Sequence, residues 1–165
     1  RLWYNLRCMG TNVSWSYIAG FVDGEGSFVK YGETDYRISI PQTNEKVLTE
    51  IQRFTKSGNI CKARKRKEHW KESWIYTVAR QEDVLKFLRS IYPYLIVKIN
   101  LARTLIPIVA KIVSAQRKKR LNLQKNIKTC KLLRCKGLSY RAIGKKVKID
   151  HGYVRRLILF SGRNI

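Results

Sequence analysis

Two carboxylates and two glycines lie close together in the segment YIAGFVDGEGSF, residues 17–28. Asp23 and Glu25 flank Gly24, and Gly20 lies one helical turn before Gly24. Glycines four residues apart share one face of a helix, which lets a second helix backbone approach closely. Packing two such helices would bring their acidic ends together. Read by themselves, the two acids would equally suit an ordinary solvated helix end.

Acids gathered in this way need a balancing charge, because two carboxylates about 4 Å apart repel by about 4 kcal/mol at an effective dielectric constant of about 20. A divalent cation held between the carboxylates and a phosphate would remove the repulsion. Hard oxygen ligands of this kind favour Mg²⁺, with Mn²⁺ as a substitute. The segment therefore predicts divalent-metal chemistry on a phosphate-containing partner.

The elements that would position this segment are visible in the hydrophobic periodicity. The pattern predicts a helix over 15–22, strands over 28–31 and 35–40, a helix over 46–55, strands near 60–65 and 74–78, and helices near 82–91 and 95–113. This α-β-β-α-β-β-α-α order is typical of an α+β domain with its helices on one face of the sheet. We expect the other sheet face to be polar, basic and free.

The charge of the chain favours a polyanionic partner. Its 165 residues include 35 Lys and Arg against 11 Asp and Glu, a net charge of +24, and such a surplus is typical of nucleic-acid binding. No stretch approaches the roughly 18 apolar residues that a membrane span requires, so we expect no membrane partner. The four cysteines have neither disulfide nor zinc spacing, which favours free thiols in an intracellular, reducing compartment (microbial cytoplasm, nucleoid or organelle matrix) over secretion.

Composition divides the chain into three parts. We expect a core domain over 14–113, a basic connector over 114–126, and a small all-α region over 127–160. The last region shows helical periodicity over 127–136, 140–146 and 151–159. Residues 115–165 hold 16 basic residues and one acid, Asp150.

The segment from Ile18 to Gly26 resembles the LAGLIDADG motif of homing endonucleases, position for position. The order of predicted elements also fits that family, so the resemblance covers about residues 14–113. It implies an αββαββα core with a saddle-shaped antiparallel sheet that lies in the DNA major groove. It also implies Mg²⁺-dependent hydrolysis of phosphodiester bonds, with water as the nucleophile and no covalent intermediate.

The same resemblance assigns roles to individual residues. Asp23 matches a mainly structural position. The implied catalytic residues are Glu25, Gln42, Lys46 and Lys98; the implied metal ligands are Glu25 and the carbonyl of Gly24; and the implied dimer contacts are Tyr17, Gly20 and Gly24. Alternation along the strands nominates the following DNA-contacting residues on the free sheet face: Ser27, Val29, Tyr31, Arg37, Ser39, Arg64, Arg66 and Thr77. Arg37 would suit guanine, whereas the cluster over 62–67 would suit phosphates.

The segment from Gly137 to Ile158 looks like a helix-turn-helix. Its second helix would be the recognition helix, whose N-terminal residues face bases in such motifs. The predicted DNA-contacting residues there are His151, Tyr153, Arg155 and Arg156, with Gly152 between them, and Lys145, Lys146 and Lys148 would suit phosphates. A plain helical cap on the core is the competing interpretation.

One copy of the motif in a chain of this length implies a homodimer that cuts both strands of a long pseudo-palindromic site in double-stranded DNA. Two other functions stay open. Some bacterial transcription regulators join a degenerate LAGLIDADG domain to a helix-turn-helix and do not cut DNA. An RNA maturase would instead bind intron RNA to assist splicing.

Overall fold

The structure, a computed structural model, describes residues 13–65, 67–69 and 71–160. Its elements are α1 (Trp15–Gly24), β1 (Ser27–Lys30), β2 (Tyr36–Gln42), α2 (Glu45–Thr55), β3 (Asn59–Lys62), β4 (Trp74–Val78), α3 (Gln81–Ile91), a 3₁₀ turn (Tyr92–Tyr94), α4 (Ile99–Cys135), α5 (Tyr140–Val147) and α6 (His151–Phe160). The predicted α+β class and the αββαββα order of the core are confirmed.

The four strands form one antiparallel sheet in the order β1-β2-β4-β3. On one face, Ile38 and Ile40 of β2 lie beside Tyr76 and Val78 of β4, and all four are buried. The opposite face carries the alternate residues, which are half-buried or exposed. We call this second face the open face. The alternation therefore behaves as predicted, with one face in the core and one left free.

Helix α1 packs into the core through Ile18, Ala19 and Val22, all fully buried. Its N-terminus is anchored by Trp15. The Trp15 ring makes edge-on contacts with Phe54 of α2 and Phe87 of α3, with ring centroids 5.2 Å and 5.7 Å apart. Edge-on packing of aromatic rings adds to the burial of their apolar area. The position of α1 is therefore fixed against both other core helices.

The junction between α1 and β1 requires a glycine. The amide of Gly26 donates to the Val22 carbonyl at 3.0 Å, and a Cβ at Gly26 would lie 2.8 Å from Val22 Cα. Only hydrogen fits at that distance. The chain can therefore turn directly from the end of α1 into the sheet, which fixes where the residue between them, Glu25, emerges.

The long helix α4 differs from the prediction. It begins at Ile99, not near residue 95, and runs without a break to Cys135, so the basic segment 114–126 and the predicted helix 127–136 are both parts of it. No glycine or proline interrupts residues 108–136, and these are the residues that break helices most strongly. Gly137, with φ +84°, ends the helix.

Two compact units divide between Val113 and Ser114. The second unit has a small core of its own, formed by Cys130, Leu133, Ile143, Val154 and Leu157. Of these, Cys130 and Leu133 lie on α4. Burial raises the pKa of the Cys130 thiol, and Cys61, Cys130 and Cys135 are all free.

Candidate functional site

The end of α1 presents Glu25 to solvent. Glu25 is the C-cap residue, and its amide donates to the carbonyls of Phe21 and Val22. Its side chain is exposed, and the carboxylate has no hydrogen bond or ion pair with any residue in the described part of the chain. A free carboxylate at the negative end of a helix is poised to accept a cation.

Asp23, two residues earlier, is fully engaged within the fold. Its carboxylate accepts hydrogen bonds from the amides of Ile96 at 2.7 Å, Val97 at 3.2 Å and Lys98 at 2.9 Å. These are the three amides that precede α4. Desolvation raises the pKa of Asp23, but the amide hydrogen bonds and the charge of Lys98 outweigh it, so the pKa lies below its ordinary value. Asp23 therefore has a structural role.

The side chain of Lys98 also binds the end of α1. Its ammonium donates to the carbonyl of Val22 at 2.9 Å and to that of Asp23. The last turn of α1 contains no basic residue of its own, so Lys98 supplies the positive charge that stabilises a helix C-terminus. The predicted catalytic lysine thus lies at the same helix end as Glu25, held by backbone carbonyls.

Gln42 and Lys46 lie on the segment that joins β2 to α2. Gln42 is the last residue of β2, not beyond it, and its Oε1 accepts from the Thr43 amide at 2.7 Å. Lys46 lies in the first turn of α2, with an exposed side chain. Within the described residues, neither side chain has a hydrogen bond or ion pair to the end of α1.

The predicted dimer contacts form an open strip on α1. In the part of the chain that the structure describes, a Cβ built at Gly20 or Gly24 would meet no neighbouring atom within 4 Å. Tyr17 is 44% exposed, and its ring packs on Phe21 at 5.7 Å. Phe21 therefore lies beside this strip and also packs against the core. Another backbone has room to approach here.

Two exposed apolar residues near the end of α1 were not singled out from the sequence. Ile96 is 83% exposed and Val97 is 74% exposed, although the amides of both are held by Asp23. Their neighbour Leu95 is buried. A short apolar run outside regular structure gives no periodic signal, so nothing in the sequence separated the buried residue from the exposed ones.

The open face brings together most of the predicted DNA-contacting residues of the core. Ser27 pairs with Ser39, Ser39 with Thr77, and Val29 with Arg37. Tyr31 is exposed at the end of the β1–β2 hairpin, and Arg64 is exposed beyond β3.

The basic cluster over 62–67 is only partly available. Lys62 forms an ion pair with Glu72 at 2.7 Å, and Lys65 lies 4.0 Å from the same carboxylate. The hydrogen bond from Lys62 and its charge lower the pKa of Glu72. Arg66, also predicted to bind DNA, lies outside the described residues.

Residues 12–92 match the family described as the LAGLIDADG-like domain. This part of the chain is a LAGLIDADG-like domain. Its match spans the whole motif segment, the four strands and helices α1 to α3. A comparison with curated protein sequences gave no match.

Solved structures similar to this LAGLIDADG-containing chain include three homing endonucleases. The archaeal intron-encoded I-Vdi141I, complexed with DNA, is 23% identical, with 87% of this chain and 93% of that one covered and a TM-score of 0.49. I-CvuI, in complex with the I-CreI target in the presence of 2 mM Mg, is 18% identical, with coverage of 92% and 96% and a TM-score of 0.47. I-SmaMI, bound to cleaved DNA, is 19% identical, with coverage of 59% and 36% and a TM-score of 0.47.

The second unit, beyond the LAGLIDADG-like domain, contains two short helices, α5 and α6, joined by the three residues 148–150. Asp150 caps α6 by accepting from the amides of Gly152 at 2.7 Å and Tyr153 at 3.1 Å. The hydrogen bond from the Tyr153 amide lowers the pKa of Asp150, and this effect exceeds that of desolvation, which raises the pKa. At Gly144 a Cβ would lie 2.7 Å from the Ile149 carbonyl oxygen, so this glycine permits the tight turn between α5 and α6.

The predicted recognition residues of that unit are accessible. His151, Tyr153, Arg155 and Arg156 are exposed on α6, whereas Gly152 is half-buried. The Arg156 guanidinium lies 5.7 Å from the Tyr153 ring centroid, and His151 Nδ1 lies 3.4 Å from Asp150 Oδ1.

Among the described helices, none combines the length and apolar character needed to cross a membrane.

The role of Asp23 leads to a prediction about the segment before α4. Asp23→Ala removes the acceptor for three amides, so hydrogen exchange of Ile96, Val97 and Lys98 should accelerate by about tenfold or more. The free energy of unfolding should fall by about 1–2 kcal/mol. Because the folded pKa is lowered, the stability that Asp23 contributes is present above its ordinary pKa of 3.8 and is lost as the pH falls through the folded value.

The matched control is Glu25→Ala, which removes a carboxylate without a partner. We expect it to leave the exchange of the same three amides unchanged. Unaltered exchange in Asp23→Ala, measured by NMR at neutral pH, would contradict the structural role of Asp23.

Proposed function

We propose that two copies of this chain assemble through α1 and hydrolyse both strands of a double-stranded DNA site with the help of a divalent cation. The observation that carries the proposal is the free carboxylate of Glu25 at the end of a helix whose glycine strip is open. At this helix end the fold engages the side chains of Asp23 and Lys98, whereas the Glu25 carboxylate has no hydrogen bond or ion pair among the described residues.

The residues present fit a divalent cation. Glu25 and the carbonyl of Gly24 would hold it, as two oxygen donors of the kind that Mg²⁺ prefers, with Mn²⁺ as a substitute. Among the described residues there is no cluster of three or more His, Cys, Asp or Glu side chains. The remaining ligands would therefore come from the second copy, DNA phosphate and water. When bound, the cation would stabilise the negative charge that develops on the phosphate.

The chain's own residues have separate tasks in this proposal. Lys98 holds a positive charge at the helix end, where it stabilises α1 and offsets the carboxylates of two facing copies. Gln42 and Lys46 would orient water and contact the DNA backbone from the β2–α2 junction. Tyr17, Gly20 and Gly24 would form the centre of the dimer contact, and Ile96 and Val97 would extend it with exposed apolar area.

DNA is the partner that the charges favour. The open face presents Ser27, Ser39, Thr77 and Arg37 in paired rows, and polar rows of this kind suit the edges of bases in the major groove. The second unit would add a recognition helix through α6 and phosphate contacts through the lysines of α5. Because a homodimer is two-fold symmetric, the preferred site would be pseudo-palindromic.

A non-cleaving transcription regulator is the second candidate, since a helix-turn-helix in the second unit would suit that role equally. An RNA maturase would show tight binding of intron RNA that survives the loss of Glu25. Both differ from the nuclease in one respect, because neither needs the Glu25 carboxylate for its function.

The first test separates chemistry from binding. Duplexes recovered by the wild-type protein from a randomised DNA pool are incubated with protein and Mg²⁺, or with a chelator. Glu25→Gln keeps the shape but removes the charge, so we expect near wild-type binding and cleavage at least about 100-fold slower. Glu33→Gln, in the exposed β1–β2 turn, is the matched control and should cut normally. Wild-type protein that binds the duplexes but cuts none in Mg²⁺ or Mn²⁺ would contradict hydrolysis and favour a regulator.

Assembly through α1 predicts the effect of Gly20→Leu. Because no neighbouring atom of the described residues lies within 4 Å of a Cβ at this position, the fold should persist, but the larger side chain would keep the two helices apart. We expect a dimer for the wild type and a monomer for the variant by analytical ultracentrifugation. Gly32→Leu, at another position with open space around its Cβ, should remain dimeric. A wild-type protein that cuts as a monomer would refute the interface.

Phosphate binding by the second unit predicts a change in salt dependence. In the double variant Lys145→Gln, Lys146→Gln, the slope of log K against log salt should fall by about 0.9 for each phosphate that the protein no longer binds. The matched control is Lys86→Gln, Arg89→Gln on α3, which removes the same charge from exposed positions of a core helix. Equal slopes for the two variants would leave the second unit without a specific DNA contact.

A further inference from the structure

Arg37, on the open face, is held by a neighbouring carboxylate. Its Nε donates to Asp35 Oδ1 at 3.3 Å and its Nη2 donates to Asp35 Oδ2 at 2.7 Å. The two residues are adjacent on this face of the β1–β2 hairpin, and their side chains are 36% and 39% exposed. The pair thus lies at the surface, where a partner can reach it.

The Tyr31 ring packs on the same guanidinium. Its ring centroid lies 4.3 Å from Arg37 Cζ, within the range of a cation–π contact. The Tyr31 amide also donates to the Asp35 carbonyl at 2.9 Å, which continues the ladder of the β1–β2 hairpin toward its turn. The hairpin therefore holds the ring and the carboxylate on either side of the same arginine.

A buried glutamine supports Asp35 from the core. Gln81, at the start of α3 and only 7% exposed, uses its Oε1 to accept from the Tyr36 amide at 3.3 Å. Its Nε2 donates to the Tyr36 carbonyl at 2.9 Å and lies 3.4 Å from Asp35 Oδ1. The β2–β4 pairing ends at Ile38 and Val78. At Tyr36 the side chain of Gln81 therefore makes the two backbone hydrogen bonds that a neighbouring strand would otherwise make. Because Nε2 also donates to the Ala79 carbonyl at 2.9 Å, both of its hydrogens go to backbone carbonyls, and Gln81 fixes mainly the backbone next to Asp35.

The hydrogen bonds to Asp35 leave one edge of the guanidinium free. An arginine has five N–H donors in a fixed plane. Asp35 uses the edge formed by Nε and Nη2, so the end edge, formed by Nη1 and the second hydrogen of Nη2, still offers two parallel donors. In the major groove guanine alone presents two adjacent acceptors, O6 and N7, whereas adenine pairs an acceptor with a donor.

Phosphate is a poorer partner for this edge. The Asp35 carboxylate, 2.7 Å from Nη2, neutralises the arginine and would repel a phosphate anion brought to the same group. A guanine edge is uncharged and meets no such repulsion. Because the side chain is already held in one conformation, it also loses less conformational freedom when it binds.

We propose that Arg37 reads a guanine through the end edge of its guanidinium, and that Asp35 is the positioning residue that makes this reading specific. The proposal rests on the proposed function, in which the open face lies on DNA. Tyr31 and Gln81 serve the same purpose indirectly, because Tyr31 packs on the guanidinium and Gln81 holds the backbone next to Asp35. One base pair in each half of the site is then specified by this group.

The test compares sequence preferences selected from a pool of randomised DNA duplexes. The wild type should select guanine at one position of each half-site. Arg37→Ala should lose that preference and leave the other positions unchanged. Asp35→Asn should reduce it about tenfold or more, within the range that one bidentate base contact provides, while total affinity stays the same or rises. Asp35→Glu, which keeps the charge but moves it by one methylene, should reduce it as well.

Glu72→Gln is the matched control, because it breaks the Lys62–Glu72 ion pair of the same sheet and changes the net charge equally. It should leave every base preference unchanged. In the absence of DNA, the Nε–H of Arg37 should exchange slowly in the wild type and rapidly in Asp35→Asn, as seen by NMR.

The possible failures are distinguishable. Equal loss of affinity for all sequences in Arg37→Ala would show a phosphate contact and overturn the proposal alone. A guanine preference that survives in both Asp35 variants would overturn the role of Asp35. A wild-type protein that selects no sequence at all would overturn the proposed function, and this inference with it.

Discussion

The site depends on a reciprocal contact between the end of α1 and the start of α4. The Asp23 carboxylate accepts hydrogen bonds from the three amides that precede α4. The Lys98 ammonium in turn donates hydrogen bonds to carbonyls in the last turn of α1. Each charge thus lies at the helix terminus whose dipole it stabilises. Because the contact locks the last turn of α1, the next residues, Gly24 and Glu25, emerge in a fixed place.

Two carboxylates separated by one residue have different surroundings and therefore different uses. Asp23 is hydrogen-bonded within the fold. Its pKa is lowered because the hydrogen bonds from three backbone amides outweigh desolvation. Glu25 faces solvent, and the direct turn at Gly26 into β1 keeps it there. The fold satisfies one acid internally and leaves the next one free for a ligand from outside the chain.

Some of the chain's many basic side chains are held in place by contacts with acidic residues. In the core domain, Asp35 and Glu72 each hold a basic side chain at 2.7 Å, so these two acids orient their basic neighbours. The second unit contains only one acid, Asp150, whose carboxylate caps α6. Acidic residues in this protein therefore act mainly by positioning helices and cations.

The sequence by itself determined the order of the core elements and the two faces of the sheet, since the alternation over 36–40 and the helical stripes are local patterns. It also located the motif with Gly20, Gly24 and Glu25, because its glycines and acids are adjacent in the chain. Periodicity did not reveal that α4 continues through 114–126, although the absence of glycine and proline was a local signal for it.

Only the tertiary structure decided which acid is free and which basic groups are already engaged. Asp23 meets Lys98 across 75 residues, and Gln81 meets Asp35 across 46, so neither contact leaves a trace in local spacing. The exposure of Ile96 and Val97 likewise follows from where Asp23 anchors their backbone. Such long-range hydrogen bonds depend on how the helices pack on the sheet, and that packing exists only once the whole core has assembled.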